Sequence, residues 1–538
     1  MRNPRVIAAI VFLSVLAVFG RLCTSEFTWY DDSETVHHNP LLNPPTAAGI
    51  GSYWTRISSS APLGLYIPLT YTVWGALAKV AYIERSDDPM GIHLNPWVFH
   101  SANVLLHATS AVLVFLILRL LIKKEWPAAA GAMLFALHPV QAEAVAWVSG
   151  MKDVLCGMLS LLAVWQYLLR TRTNYIIAMI ALVAAMLAKP TAMVVPLIAL
   201  CIDVLVLQRS WRATMSALLP WFVLVIPCIL WTRAAQGTAG VPVAPLWARP
   251  IIALDSLGFY LAKMIWPTSL AVVYGRTPLR VFESNAFWFT WIAPAGLFVV
   301  LLLNRRRFPE LLAAALLVVI GVLPVLGLAP FQFQYFSGVA DHYLYLAMLG
   351  PALAAAVILH QMPGRLSASI AIVVLIAVSV LSFRQAGFWH DEMRLWQHNL
   401  AAVPDSALSH TNYGVVLYRS GQIPQAEEQF DEAIRIDPND GTAHNKLAVI
   451  LASSGRGDEA IAHIGAVIRI NQQMPPVFRP AMDQTRNLFG MLLMSRGQFD
   501  QAAEQFRAAL AENPQLESAR ENLKSAEERM RPGDKGAR

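Results

Sequence analysis

The chain has 538 residues, of which 56% are hydrophobic and 14% charged, against about 25% charged in an average soluble domain. That composition excludes a water-soluble enzyme and a disordered chain alike. The net charge of +6 is not a nucleic-acid signal. Residues 1–400 hold 26 basic and 17 acidic side chains and residues 401–538 hold 15 and 18, so the basic excess lies wholly in the oily part.

Apolar runs long enough to cross a bilayer, about 17–25 residues, recur from the N-terminal end. They fall at 5–23, 98–121, 127–147, 154–169, 174–188, 190–207, 214–232, 286–303, 310–329, 343–360 and 367–383. The first follows Met1-Arg2-Asn3-Pro4-Arg5 without a small-x-small cleavage site, so it reads as an uncleaved anchor. Arginine and lysine cluster at Arg2/Arg5, Arg119/Lys123/Lys124, Arg170/Arg172, Arg209/Arg212, Arg305–Arg307 and Arg365. These are alternate loops, as expected for short cytoplasmic loops of a chain that starts inside. About eleven spans, an odd number, then put the C-terminal portion outside the cytoplasm. Two external loops are long, 24–97 and 233–285, and their apolar stretches Tyr66–Ala81 and Ile251–Trp266 read as interfacial. Of the 17 acidic residues before 400, only Glu125, Asp203 and Glu310 map to the cytoplasmic side. The four cysteines (Cys23, Cys156, Cys201, Cys228) lie in or beside apolar runs and form neither a disulfide framework nor a zinc pattern.

After Phe383 the composition changes and self-similarity begins. Asn412-Tyr413-Gly414, Leu417, Gly421, Ala426, Phe430, Ala433 and Pro438 have the offsets of a 34-residue tetratricopeptide unit, and Gly490 to Pro514 repeat them. Leu447, Leu451, Gly455 and Ala460 keep the phase between them, and the proline-rich Pro475–Met482 supplies eight extra residues. The expected organisation is a membrane domain at 1–385, a linker at 386–406 and repeats at 407–440, 441–474 and 483–516. A capping helix at 517–530 and a disordered tail at 531–538 complete it. Such arrays commonly present a concave surface that binds protein or peptide.

Candidate chemistry collects on the outer side. Trp29-Tyr30-Asp31-Asp32-Ser33-Glu34 follows the first span. On their own its adjacent carboxylates read first as a solvated juxtamembrane acid cluster, and otherwise as a general base that takes a hydroxyl proton. His138-Pro139, Glu143, Trp147 and Lys152-Asp153 bracket the external end of a span pair, and Lys189-Pro190 forms the next outer turn. Lysines at that depth either meet a phosphate near the headgroups or reach the interface as anchors. Phe99-His100, Asn103 and His107 share one helix face, which suits interhelical hydrogen bonding or a polar cavity. Lys263 within Tyr260–Pro267, then Tyr274, Arg276 and Arg280, and Phe331–Phe336 leading to Asp341-His342-Tyr343 and Tyr345, are aromatic-plus-base clusters. Those suit sugar and phosphate groups or an interfacial aromatic belt. No HExxH, CxxC or GxxxxGK[ST] motif occurs.

In this order, Trp29-Tyr30-Asp31-Asp32, Ile67-Pro-Leu-Thr-Tyr, His100/Asn103/His107, His138-Pro…Glu143…Lys152-Asp153, Lys189-Pro, Asp341-His342-Tyr343 and a tetratricopeptide tail form one pattern. It resembles the transmembrane and tetratricopeptide-repeat protein O-mannosyltransferases, in particular their bacterial members, over nearly the whole chain. One departure is Lys152, where the eukaryotic members carry Arg. The resemblance implies a mainly α GT-C glycosyltransferase-type membrane bundle ahead of the solenoid. It also implies a mannose-like hexose carried on a polyprenyl or dolichyl phosphate, and Ser/Thr hydroxyls of a protein as acceptor. Asp31 or Asp32 would be the catalytic base, with Lys152, Lys189 and Lys263 at the lipid phosphate. His138, Glu143, Asp153, Asp341, His342 and Tyr343 are further site candidates, and a divalent metal is left open. The expected setting is a bacterial inner membrane with the N-terminus cytoplasmic, the repeats periplasmic and no nucleic acid as partner. A lipid or glycan acceptor, and a non-catalytic scaffold that recruits envelope partners, are the competing readings.

Overall fold

A computed structural model describes residues 3–55, 65–84, 91–236, 244–474 and 482–530. The expected tail at 531–538 and most of the proline-rich insertion lie outside the described residues. The chain folds into two compact units, 1–402 and 403–538.

The first unit is helical because its sequence leaves the backbone no other way to satisfy its polar groups in lipid. Among the described residues, six helices are long and apolar enough to cross a membrane: Pro4–Thr24, Pro96–Ile122, Val148–Leu168, Trp211–Ala235, Asn285–Leu303 and Gly364–Phe388. Four shorter apolar helices accompany them, at Arg172–Ala188, Pro190–Val206, Pro309–Val325 and Leu349–Gln361. These helices do not confirm the expected count of about eleven spans. The expected span at 127–147 breaks at His138, which is extended (φ −77°, ψ 135°) ahead of Pro139. Proline lacks the amide and pushes its predecessor out of the helical region. The next residues form only short turns, Pro139–Gln141, Ala142–Ala146 and Val148–Gly150, all buried.

Starts are set by proline and cap residues. Asn3 accepts from Arg5 N–H ahead of Pro4, and Asn95 accepts from Trp97 N–H ahead of Pro96. Small residues allow close approach between helices, as in lipid they must. A Cβ at Gly131 would collide with the Ala352 carbonyl, and one at Gly350 with the Ala314 carbonyl. Polar side chains then act as ties. Asn103 Nδ2 donates to the Trp147 carbonyl at 2.8 Å, and His107 bridges the Tyr345 hydroxyl and the Ala136 carbonyl, both at 2.9 Å. Near the other end of the Val148–Leu168 helix, fully buried Asp203 accepts from Tyr167 at 2.6 Å and Arg209 at 2.8 Å, and pairs with Arg170. Residues 386–406, expected as a linker, contain the Glu392–Ala402 helix, whose Leu395, Trp396 and Asn399 are buried. Asn399 Oδ1 accepts from Val272 N–H at 2.6 Å, which ties this helix into the first unit.

Among its described residues the second unit is three helix pairs and one further helix. The pairs are Ala407–Arg419 with Ile423–Ile436, Gly441–Ser453 with Gly457–Gln473, and Asp483–Ser495 with Phe499–Glu512; Glu517–Met530 follows. Gly421, Gly455 and Gly497 take positive φ (75°, 80° and 75°) in the three intra-pair turns, a conformation glycine adopts without strain. Gly414 and Gly490 leave room for the fully buried rings of Phe430 and Phe506.

Candidate functional site

Three distant stretches, 26–37, 138–153 and 331–345, meet beside Lys189 and the 260–276 segment. Trp147 is the hub. Its Nε1 donates to the Tyr30 carbonyl at 3.0 Å, its ring lies 5.4 Å from Tyr30 and 5.8 Å from His342, and Lys152 Nζ stands 4.3 Å over it. Trp396, from the helix in the expected linker, closes on Tyr30 at 5.7 Å.

The two aspartates have opposite environments. Asp32 is fully buried and accepts four hydrogen bonds. Thr28 donates to Oδ2 through N–H (3.1 Å) and hydroxyl (2.9 Å), and Ser149 donates to Oδ1 through N–H (2.9 Å) and hydroxyl (2.6 Å). That fills most of the acceptor capacity of a carboxylate. Burial still pushes its carboxyl up to about 6, because the four donors only partly offset the loss of water. Asp31 takes φ 60°, a left-handed conformation that aspartate tolerates better than most residues. Its side chain is 30% exposed and lies 3.8 Å from Lys152 Nζ. The Lys152 side chain is only 7% exposed, and among the described residues its ammonium makes no hydrogen bond. A desolvated ammonium with unengaged donors is costly in isolation and well prepared for an anionic oxygen.

The remaining sequence candidates are engaged in different ways. Lys189 Nζ holds Asp153 Oδ1 at 2.5 Å, with both side chains buried, and lies 5.6 Å over Tyr343. Glu143 accepts from both the backbone N–H (2.9 Å) and Nδ1 (2.8 Å) of His342. Asp341 has the Tyr274 hydroxyl 2.9 Å from both its oxygens. Burial, and then the nearby Glu143 charge, hold the Asp341 carboxyl well above the usual carboxylate range. Lys263 donates to the Thr268 and Ser269 carbonyls at 2.9 and 2.8 Å, closing the end of the Arg249–Ile265 helix. His138 donates from Nε2 to the Met264 carbonyl at 3.0 Å. The structure thus brings Asp31 and Lys152 together, and Asp153 with Lys189, while Lys263 and His138 secure loop carbonyls. His100 and His107 secure carbonyls as well. Thr28 and Ser149 escaped sequence reasoning, since Ser149 meets Asp32 from 117 residues away. Among the described residues no group of three His, Cys, Asp or Glu side chains could hold a metal ion.

Comparison with known proteins adds to this geometry. A tetratricopeptide repeat family model matches residues 400–475 and 487–523. The C-terminal region carries tetratricopeptide repeats. Over 469 residues the chain is 25% identical to a protein O-mannosyl-transferase of Caenorhabditis elegans, covering 82% of this chain and 63% of that protein. A human protein O-mannosyl-transferase is 22% identical over 528 residues, covering 83% of this chain and 57% of the relative. A Drosophila melanogaster protein of the same name is 30% identical over 276 residues, 46% of this chain and 28% of the relative. The chain thus spans less than two thirds of each of these relatives. Among solved structures, ArnT from Cupriavidus metallidurans bound to undecaprenyl phosphate aligns with 88% of this chain and 81% of its own, at 14% identity and a TM-score of 0.36.

Proposed function

We propose that the chain is an integral-membrane glycosyltransferase of the GT-C type. It moves a mannose-like hexose from a polyprenyl-phosphate donor to Ser/Thr hydroxyls of a protein on the non-cytoplasmic face. The observation that carries the reading is the contact of one partly exposed carboxylate, Asp31, with one desolvated ammonium, Lys152, that makes no hydrogen bond among the described residues. Similarity to proteins named O-mannosyl-transferases supports the sugar and the acceptor class. The distribution of arginines and lysines supports the orientation, and the repeats supply a surface for the protein acceptor.

In this reading the phosphate of the sugar donor takes Lys152 from Asp31. The freed carboxylate accepts the proton of the acceptor hydroxyl, whose oxygen attacks the anomeric carbon. The bond from that carbon to the phosphate oxygen breaks, and the leaving phosphate keeps the electron pair. Lys152 meets the charge, so the leaving group needs no proton and a single base suffices. Asp32 holds the loop against Ser149 and leaves its neighbour facing the acceptor. Lys189 already neutralises Asp153, which makes Lys152 the first cation a phosphate would reach. The test is transfer of mannose from polyprenyl-phosphate mannose to a Ser/Thr peptide by the purified full chain. Product formed by wild type and lost in Asp31→Asn is expected. Undiminished turnover in Asp31→Asn, or no product with any polyprenyl-phosphate hexose, overturns the reading.

A further inference from the structure

Beside the phosphate site is a cavity of ≈ 20 Å³, bounded by Asp153, Cys156, Thr191, His342, Tyr343 and Tyr345 among others. It has room for one water-sized group. Two of its walls have unmet hydrogen-bonding capacity. Asp153 is 7% exposed; its Oδ1 is held by Lys189, while Oδ2 is buried with no hydrogen-bond partner among the described residues. His342 is 6% exposed and gives Nδ1 to Glu143, which leaves Nε2 as the ring nitrogen not engaged among the described residues. A buried carboxylate oxygen without a donor is among the more costly features a fold can carry. The cost is reduced when a small group brings an O–H to it.

The position of the cavity says which group that is. His342 and Lys152 both pack on the Trp147 ring, so the cavity lies one side chain away from the cation assigned to the phosphate. His342 also stacks edge-on with Tyr343 at 4.4 Å, and an aromatic wall of this kind suits a sugar face. An anion is excluded by the orphan carboxylate oxygen, and an apolar group would leave that oxygen unmet. A hydroxyl is both donor and acceptor, and its size matches the space.

We propose that this cavity reads one hydroxyl of the transferred hexose, with Asp153 Oδ2 accepting its proton and His342 meeting its oxygen. The proposal rests on the glycosyltransferase reading above and makes Asp153 and His342 specificity-determining residues. Sites built to hydrogen-bond a substrate hydroxyl reject the analogue lacking it strongly, because buried groups are then left unpaired.

The experiment compares polyprenyl-phosphate mannose with its 2-, 3-, 4- and 6-deoxy analogues, using wild type, His342→Asn and Asp153→Asn. The readout is the ratio of kcat/KM between the parent donor and each analogue, which is independent of how much variant protein folds. Asparagine at 342 keeps an amide N–H near the place of Nδ1 for Glu143 and loses Nε2. Wild type is expected to reject one deoxy analogue by about 100-fold or more. Both variants are expected to reduce that single ratio to about 5-fold or less, with the other three unchanged. Equal ratios in wild type and variants for every analogue would show that the cavity holds only a water, and would overturn the proposal while leaving the transferase reading intact. No turnover of the parent donor by wild type would overturn that reading, and this subsite with it.

Discussion

Replacing Asp31 and Asp32 one at a time by asparagine separates chemistry from architecture. At Asp31 the change is isosteric on a side chain 30% exposed whose nearest ion partner is 3.8 Å away. Turnover should fall about 10²–10⁴-fold for loss of a general base. At Asp32 the amide keeps one acceptor oxygen, so two of four bonds are lost. Each is charge-assisted and worth about 1.5–3 kcal/mol, and an NH₂ facing buried donors costs about 1–3 more. Against this, the variant no longer buries a charge. The gap between about 6 and the ordinary 3.8 corresponds to about 3 kcal/mol. The balance is a destabilisation of about 1–6 kcal/mol at pH 7, read as a lower melting temperature in detergent. The pH dependence has a definite sign. Because folding raises the carboxyl, this stabilisation is fully present below about pH 4 and lost as pH rises through about 6. The wild type should therefore lose about 3 kcal/mol from this residue across that window, and Asp32→Asn should lack that component. Turnover preserved in Asp31→Asn, together with turnover abolished and melting unchanged in Asp32→Asn, would reverse the assignment and refute the reasoning.

Lys152→Met removes the ammonium that reaches Asp31 and keeps the packing on Trp147; kcat should fall about 10²–10³-fold for loss of charge stabilisation at the leaving oxygen, measured with saturating polyprenyl-phosphate mannose. Asp203→Asn leaves two arginines around a buried site near the other end of the Val148–Leu168 helix. It should destabilise by about 3–5 kcal/mol in a thermal melt, without raising KM for the sugar donor. In the repeats, Gly414→Val places a Cβ 2.7 Å from the Phe430 ring and should destabilise by about 1–3 kcal/mol, seen as earlier loss of helical signal on heating the full chain.

The repeats were legible because a 34-residue period fixes which glycine faces which phenylalanine, and local spacing settles the packing. The membrane unit was legible in composition and less so in detail. Residues 127–147 read as one oily run, yet a single His138-Pro139 step turns them into a buried chain of short turns. Glu392–Ala402 read as a linker because its composition is mixed. Its value lies in three inward side chains, and their partners, Tyr30 and Val272, are far away in sequence.

The site shows the same division between residue type and residue state. Sequence pointed to an acidic dipeptide and to lysines near a headgroup plane, and type alone could go no further. The states depend on long-range contacts and on one backbone angle. Ser149 arrives from another segment to fill the acceptors of Asp32, and positive φ sets Asp31 apart from its neighbour. Lys152 and Lys189 look equivalent in sequence, each on an outer turn beside a helix. Asp153 lies 2.5 Å from Lys189, whereas the carboxylate nearest Lys152 is 3.8 Å away, partly exposed and itself reactive in the proposed chemistry. A phosphate would have to break a tight buried pair to reach Lys189, and only a loose contact to reach Lys152. If binding of a polyprenyl phosphate falls as much in Lys189→Met as in Lys152→Met after correction for folded fraction, that ordering of the two lysines is wrong.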